Sequence, residues 1–190
     1  MSEFIRETIL TTLGPDGRTH IAPMGVRERD GLLLIAPFRP SGTLDNLLRE
    51  RHAVINLTDD VRVYAGCLTG HFDWPLVDAT TIHGRRLRDG LAHQELEVVQ
   101  IDQDDLRPKL QCRLVHEANH RPFRGFNRAQ AAVLELAILI SRLGMLPDSK
   151  IDAELQYLRI AMEKTAGDRE WEAWGWLEAR LSQHRQRQCA

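Results

Sequence analysis

The residues best suited to chemistry lie between Ile35 and Leu48. An apolar stretch runs into the loop Pro37-Phe38-Arg39-Pro40-Ser41-Gly42-Thr43. Leu44, Leu47 and Leu48 follow at i, i+3, i+4, the spacing of a short amphipathic helix. A helix N-terminus presents unpaired N–H groups and partial positive charge, so it receives phosphate well. Around this one the loop gathers the Arg39 guanidinium, the hydroxyls of Ser41 and Thr43, and Gly42, which lets a ligand close on the backbone. Asn46, one turn in, adds an amide. The pattern is that of a phosphate clamp with one cation; the alternative is plain capping by Ser41 or Thr43 beside a solvated Arg39. A second unusual segment is Ala22-Pro23-Met24-Gly25-Val26 in an otherwise strand-like run. Pro removes a ladder donor and Gly a side chain, which leaves backbone open to a flat ligand or marks a bulge at an edge.

Other chemistry-bearing groups compete with these. His116-Glu117-Ala118-Asn119-His120 matches H-E-x-x-H, in which two His on one helix face bind zinc and Glu activates water. That chemistry needs a helix. The preceding Gln111-Cys112-Arg113-Leu114-Val115 reads as strand, and Pro122 follows two residues after His120. The match is therefore read as a coincidence at a strand end, and no metal centre is expected; a zinc hydrolase, with Glu135 as third ligand, stays as an alternative. His71, Asp73, Asp78 and His83 form a loose group more in keeping with a polar loop than a metal site. Cys67 lacks a fixed base and is read as inert. Trp171, Trp174 and Leu177 share a helix face, which suggests core or dimer packing rather than ligand stacking.

The elements that must position these residues change character along the chain. Glu3 to Leu13, Thr19 to Arg29, Leu32 to Ala36 and Ala53 to Leu57 read as strands, separated by Gly14-Pro15-Asp16-Gly17, Asp30-Gly31 and the helix over 44–51. The third strand is apolar throughout, so burial on both faces is expected. Leu96 to Ile101 and Gln111 to His116 are further strands, and the run from Val61 to His93 gives no clear pattern. Helices follow over Asn127–Leu143, Ile151–Lys164 and Asp168–Gln183, with Gly144 and Pro147 ending the first. The expectation is a mainly β domain over 1–123 and a three-helix domain over 124–190.

Composition narrows the class. The chain has 190 residues, 43% of them hydrophobic and 27% charged, as in globular chains. Lys and Arg number 25 against 27 Asp and Glu, so bulk charge gives nucleic-acid binding no support. The longest apolar stretch, Ala131 to Ile140, is interrupted by Glu135 and too short to span a bilayer. The first seven residues show no cationic region followed by an apolar core, so no secretory signal is expected. Three widely spaced cysteines, Cys67, Cys112 and Cys189, suit reduced thiols, and a cytoplasmic location is expected.

Taken together, Ala22-Pro23-Met24-Gly25-Val26, Ser41-Gly42-Thr43-Leu44-Asp45-Asn46-Leu47 and Asn56-Leu57-Thr58-Asp59-Asp60 resemble the FMN-binding split β-barrels. The closest resemblance is to the branch catalogued as domain-of-unknown-function family 447. Phe126-Asn127-Arg128-Ala129 resembles the opening of that branch's helical C-terminal domain. The resemblance spans nearly the whole chain and implies an α+β protein, a split barrel followed by helices. It implies FMN at the interface of a homodimer, with Arg39, Ser41 and Thr43 on the phosphate and Asn46 alongside. It places the isoalloxazine ring against Met24, Gly25 and Val26, with Asn56 at a polar edge. It further implies a flavin-dependent oxidoreductase of a small molecule, with the substrate and any nicotinamide donor left open, in a setting of tetrahydromethanopterin-linked one-carbon metabolism. The alternative from another class is a non-catalytic flavin-binding module whose helical domain docks a partner.

Overall fold

The computed structural model describes residues 4–189 of the chain, without the side chain at 189. Glu3, where the sequence-predicted first strand begins, the first residues of the leader reading and the Cys189 thiol therefore lie outside the described residues. The chain divides into two units, one of residues 1–58 and 74–123, the other of residues 59–73 and 124–190.

The first unit is a closed antiparallel barrel. Its strands are β1 (Arg6–Leu13), β2 (Thr19–Arg29), β3 (Leu32–Ile35), β4 (His52–Leu57), β7 (Ala92–Asp102) and β8 (Lys109–Asn119). They close in the order β1-β2-β3-β8-β7-β4, while β5 (Leu76–Asp78) and β6 (Arg85–Leu87) form a separate hairpin. Leu10, Val26, Ile35, Ile55, Leu96 and Leu110 fill the barrel with Leu44 and Leu47 of helix α1 (Gly42–Glu50). β3 alternates between buried Leu33 and Ile35 and half-exposed Leu32 and Leu34. The expectation of two buried faces is thus corrected: closure puts only one face of β3 against the core.

β2 is long because it serves two neighbours in turn. It pairs with β1 from Thr19 to Val26 but with β3 only from Val26 to Arg29. Among the described residues β1 is therefore the only strand paired with Thr19 to Gly25. Pro23, which has no N–H to give, falls in that half. β7 and β8 both exceed their sequence-predicted spans, since charged and polar residues such as His93, Glu95 and Glu117 interrupt the apolar pattern that marked them.

The second unit is helical: α2 (Arg62–Thr69), α3 (Arg128–Ser141), α4 (Asp148–Thr165) and α5 (Asp168–Cys189). Asn127 caps α3, its side chain accepting the N–H groups of Ala129 and Gln130. Val133, Leu136, Ile151, Met162, Trp174 and Leu177 form its core. The units part between residues 123 and 124, and residues 59–73, which carry α2, also fall in the helical unit. Val61, Val63, Tyr64 and Gly66 make a poor local helix signal, yet Val61 and Ala65 are buried in the helical cluster, so packing rather than propensity makes this segment helical. The three-helix expectation becomes four. Trp174 and Leu177 are buried as expected, whereas Trp171 is 41% exposed. No helix among the described residues is long and apolar enough to cross a membrane.

Candidate functional site

The loop after β3 and the start of α1 form the first cluster. Ser41 is the N-cap: its backbone is extended and its Oγ accepts the Leu44 N–H at 3.2 Å. The N–H groups of Gly42 and Thr43, first in the helix, have no acceptor among the described residues. Gly42 is exposed, and a side chain there would meet only the His20 ring, at 3.8 Å. Thr43 is buried, and its Oγ1 lies 3.1 Å from His20 Nε2. Burial lowers the His20 pKa, so that imidazole is neutral at pH 7. Arg39 is exposed, with one guanidinium nitrogen 3.4 Å from Gln103 Oε1. Arg39, Ser41, Gly42 and Thr43 thus sit around one helix N-terminus, and His20 joins them from β2. His20 was missed in the sequence; its only signal is its place in the strand that carries Pro23 and Gly25.

The β2 residues divide. Met24 is half-buried, and its carbonyl accepts the Thr8 hydroxyl at 2.8 Å. A side chain at Gly25 would come within 2.9 Å of Ile5 Cγ2, so this glycine makes room for the side chain that directly precedes β1. Val26 is fully buried in the barrel core and flanked by Arg6 and Ile35 on the two adjoining strands, so it offers a ligand neither side chain nor open edge.

The two asparagines turn inward. Asn46 donates to Thr12 Oγ1 at 3.0 Å and accepts from Arg49 at 3.0 Å, with 4% of its surface exposed. Asn56 is 1% exposed; its Nδ2 reaches the Ile9 carbonyl at 3.1 Å and Thr11 Oγ1 at 3.2 Å, and its Oδ1 accepts the Leu87 N–H at 2.7 Å. These amides tie strands and the β5–β6 hairpin together.

A second cluster lies on β7 and β8. H-E-x-x-H is strand up to Asn119, so its residues have no helix face on which to meet. They meet others instead. Period-two alternation puts His93 and Glu95 on one face of β7, and Glu95 is paired with His116 across the ladder. A register shift next to this pair, between Glu95 and Leu96, marks a bulge. The Glu95 carboxylate is fully buried and accepts the N–H groups of Thr80 (2.5 Å), Thr81 (2.7 Å) and Ile82 (2.9 Å). Burial opposes its charge, but those amides and His93 outweigh burial and hold the carboxyl down at about 2. His93 Nε2 lies 3.0 Å from Glu95 Oε1, and His93 Nδ1 lies 2.9 Å from His120 Nε2. Glu95 was not singled out in the sequence; the H-x-E spacing at 93–95 was the available signal.

The remaining candidates do not assemble. His71 stacks on Trp176 at 4.0 Å in the helical unit, while Asp78 pairs with Arg85 in the barrel unit. Burial pushes the Cys67 thiol up to about 12, which removes it as a nucleophile at neutral pH.

The barrel and its helical C-terminal unit are those of the FMN-binding split β-barrel fold. Within that class the chain belongs to the DUF447 family: residues 6–121 match the N-terminal domain and residues 127–179 the C-terminal domain of the protein of unknown function DUF447. An FMN-bound DUF447 protein of Methanosarcina mazei is similar over 94% of this chain and 96% of its own, with a TM-score of 0.80 at 19% identity. The 2-nitrobenzoate 2-nitroreductase of Pseudomonas fluorescens shares the fold over 63% of this chain and 66% of its own (TM-score 0.52, 21% identity). The NADH:FAD oxidoreductase of Streptomyces globisporus does so over 62% and 72% (TM-score 0.52, 11% identity). No curated protein matches the chain in sequence.

Proposed function

We propose that this chain binds FMN and serves as a flavin-dependent oxidoreductase of a small molecule. The observation that carries the reading is the first cluster. Two unengaged N–H groups, the Ser41 and Thr43 hydroxyls, His20 and Arg39 surround one helix N-terminus, and beside it lies the half of β2 that pairs with β1 and not with β3. These donors fit a phosphate, and Gly42 leaves room for it. The family resemblance to an FMN-bound protein supports the same ligand.

In this reading the amides of Gly42 and Thr43 and the Ser41 hydroxyl donate to the phosphate, and Arg39 supplies the cation. Met24 and Gly25, in the half of β2 that pairs with β1 alone, offer backbone to the ring. When bound, FMN supplies the hydride and electron chemistry. The protein binds and orients it, and no side chain need carry the redox step. A homodimer with FMN at the interface belongs to the proposal; the exposed Phe38 beside the clamp and Ile5 beside β2 support it, being apolar surfaces for a second subunit to cover. A tetrahydromethanopterin-linked role draws its support from family membership alone.

The test is the visible spectrum of purified protein, with calorimetric titration of FMN. Flavin bands near ~370 and ~450 nm, or saturable FMN binding, are expected. Colourless protein that takes up no FMN refutes the reading. Reduction of the bound flavin by NADH or NADPH then separates an enzyme from a binding module.

A further inference from the structure

The β7–β8 cluster has no part in the flavin reading, and its donor set suits a cation. One ligand atom from each of His93, Glu95 and His116 lies within 4.8 Å of the other two. His93 and Glu95 are 2% and 0% exposed, while His116 is half-buried, so the set opens toward solvent on one side. The His116 ring stands 5.5 Å from that of His93, tilted by 53°, and makes no hydrogen bond among the described residues. Its nitrogens are thus uncommitted.

The surroundings are those of a supported site. Metal-binding carboxylates are themselves held by hydrogen bonds, and a ligating His gives its other ring nitrogen to a fixed partner. Glu95 Oε2 accepts Thr81 and Ile82, and Oε1 accepts Thr80, which leaves one direction on Oε1, now filled by His93 Nε2. His93 Nδ1 is anchored on His120 Nε2. A cation replacing the proton between Glu95 Oε1 and His93 Nε2 would meet both atoms, and the bulge beside Glu95 brings His116 to it as the third ligand.

We propose that His93 Nε2, Glu95 Oε1 and the His116 imidazole bind a first-row divalent transition metal such as Zn²⁺ or Fe²⁺. Thr80–Ile82 and His120 hold the ligands in place. Two imidazoles and one carboxylate select such ions over Mg²⁺ and Ca²⁺, which prefer oxygen. Three protein ligands leave coordination positions for water or substrate. The motif residue Glu117 is no part of this site: it is exposed and bonds Gln94.

The test is metal binding by the full chain after chelator treatment, followed by elemental analysis and competition titration with Zn²⁺, Fe²⁺ and Mg²⁺ separately. About one equivalent of Zn²⁺ or Fe²⁺ per chain is expected, with no saturable Mg²⁺ binding. His116→Ala should weaken that binding on the order of 10-fold or more, with circular dichroism unchanged because His116 supports no hydrogen bond. His120→Ala should weaken it less, through loss of the His93 anchor. Absence of Zn²⁺ and Fe²⁺ binding by the wild-type chain, or affinity unchanged in a folded His116→Ala protein, overturns the proposal. FMN binding is measured on the same samples, so that failure of the flavin reading is seen separately.

Discussion

Asn56 offers the sharpest test of what the barrel amides do. If its role is structural, truncation costs stability whether or not flavin is bound. In Asn56→Ala the Leu87 N–H loses its 2.7 Å acceptor in a buried position, a penalty of about 1–3 kcal/mol. The Ile9 carbonyl loses its Nδ2 donor, worth about 1 kcal/mol. Thr11 keeps acceptors at Val54 and Arg85, so it adds little. The expected loss is about 2–4 kcal/mol, or roughly 5–15 °C in Tm for a chain of this size. Urea unfolding of FMN-free protein, read as the shift in midpoint at constant slope, measures it. Asn56→Asp sharpens the point. It keeps an acceptor for Leu87 but turns a second oxygen toward the Ile9 and Val54 carbonyls. Its deficit should be larger than that of Asn56→Ala at pH 7 and shrink on acidification, as the carboxyl gains a proton to donate. An Asn56→Ala protein within about 0.5 kcal/mol of wild type, or an aspartate deficit indifferent to pH, would refute the argument.

Three further outcomes are expected. Arg39→Ala and Thr43→Ala should each weaken FMN binding by about 1–3 kcal/mol, measured by calorimetry; wild-type affinity in both would remove the clamp. The folded His20 titrates below its ordinary value of 6.5 because it is buried, so below that pH the unfolded chain takes up a proton that the folded one does not. Stability should therefore fall as pH drops from 7.5 through 6.5 toward the folded pKa, and His20→Gln should flatten part of that slope in urea midpoints. Burial pushes the Cys67 and Cys112 thiols up to about 12, so peptide-resolved alkylation at pH 8 should be slow in native protein and rapid in denaturant. Equal rates in the two conditions would contradict that burial.

What the sequence determined by itself was local in origin. Alternating and β-branched runs marked β1 to β4, the Ser41 cap and leucine spacing marked α1, and apolar periodicity with Asn127 marked α3. Each depends on contacts within a turn or two of chain, which composition and spacing encode. The grouping of Arg39, Ser41, Gly42 and Thr43 at the start of α1 was legible for the same reason, because a loop and the helix it opens are contiguous.

Tertiary structure alone decided the rest. α2 is helical because distant α3 and α5 bury it, and Val26 was removed from a ligand's reach by strands on both sides of it. Asn56 became a tie between strands only when β1 and the β5–β6 hairpin closed around it. His20 met Thr43, Glu95 met three amides and its ladder partner His116, and His93 met His120, through pairings separated by 13 to 27 positions. A sequence shows which groups exist and how neighbours along the chain are phased. Which of them share a buried volume is set by barrel closure and ladder register, since these fix distances between residues that no local spacing relates.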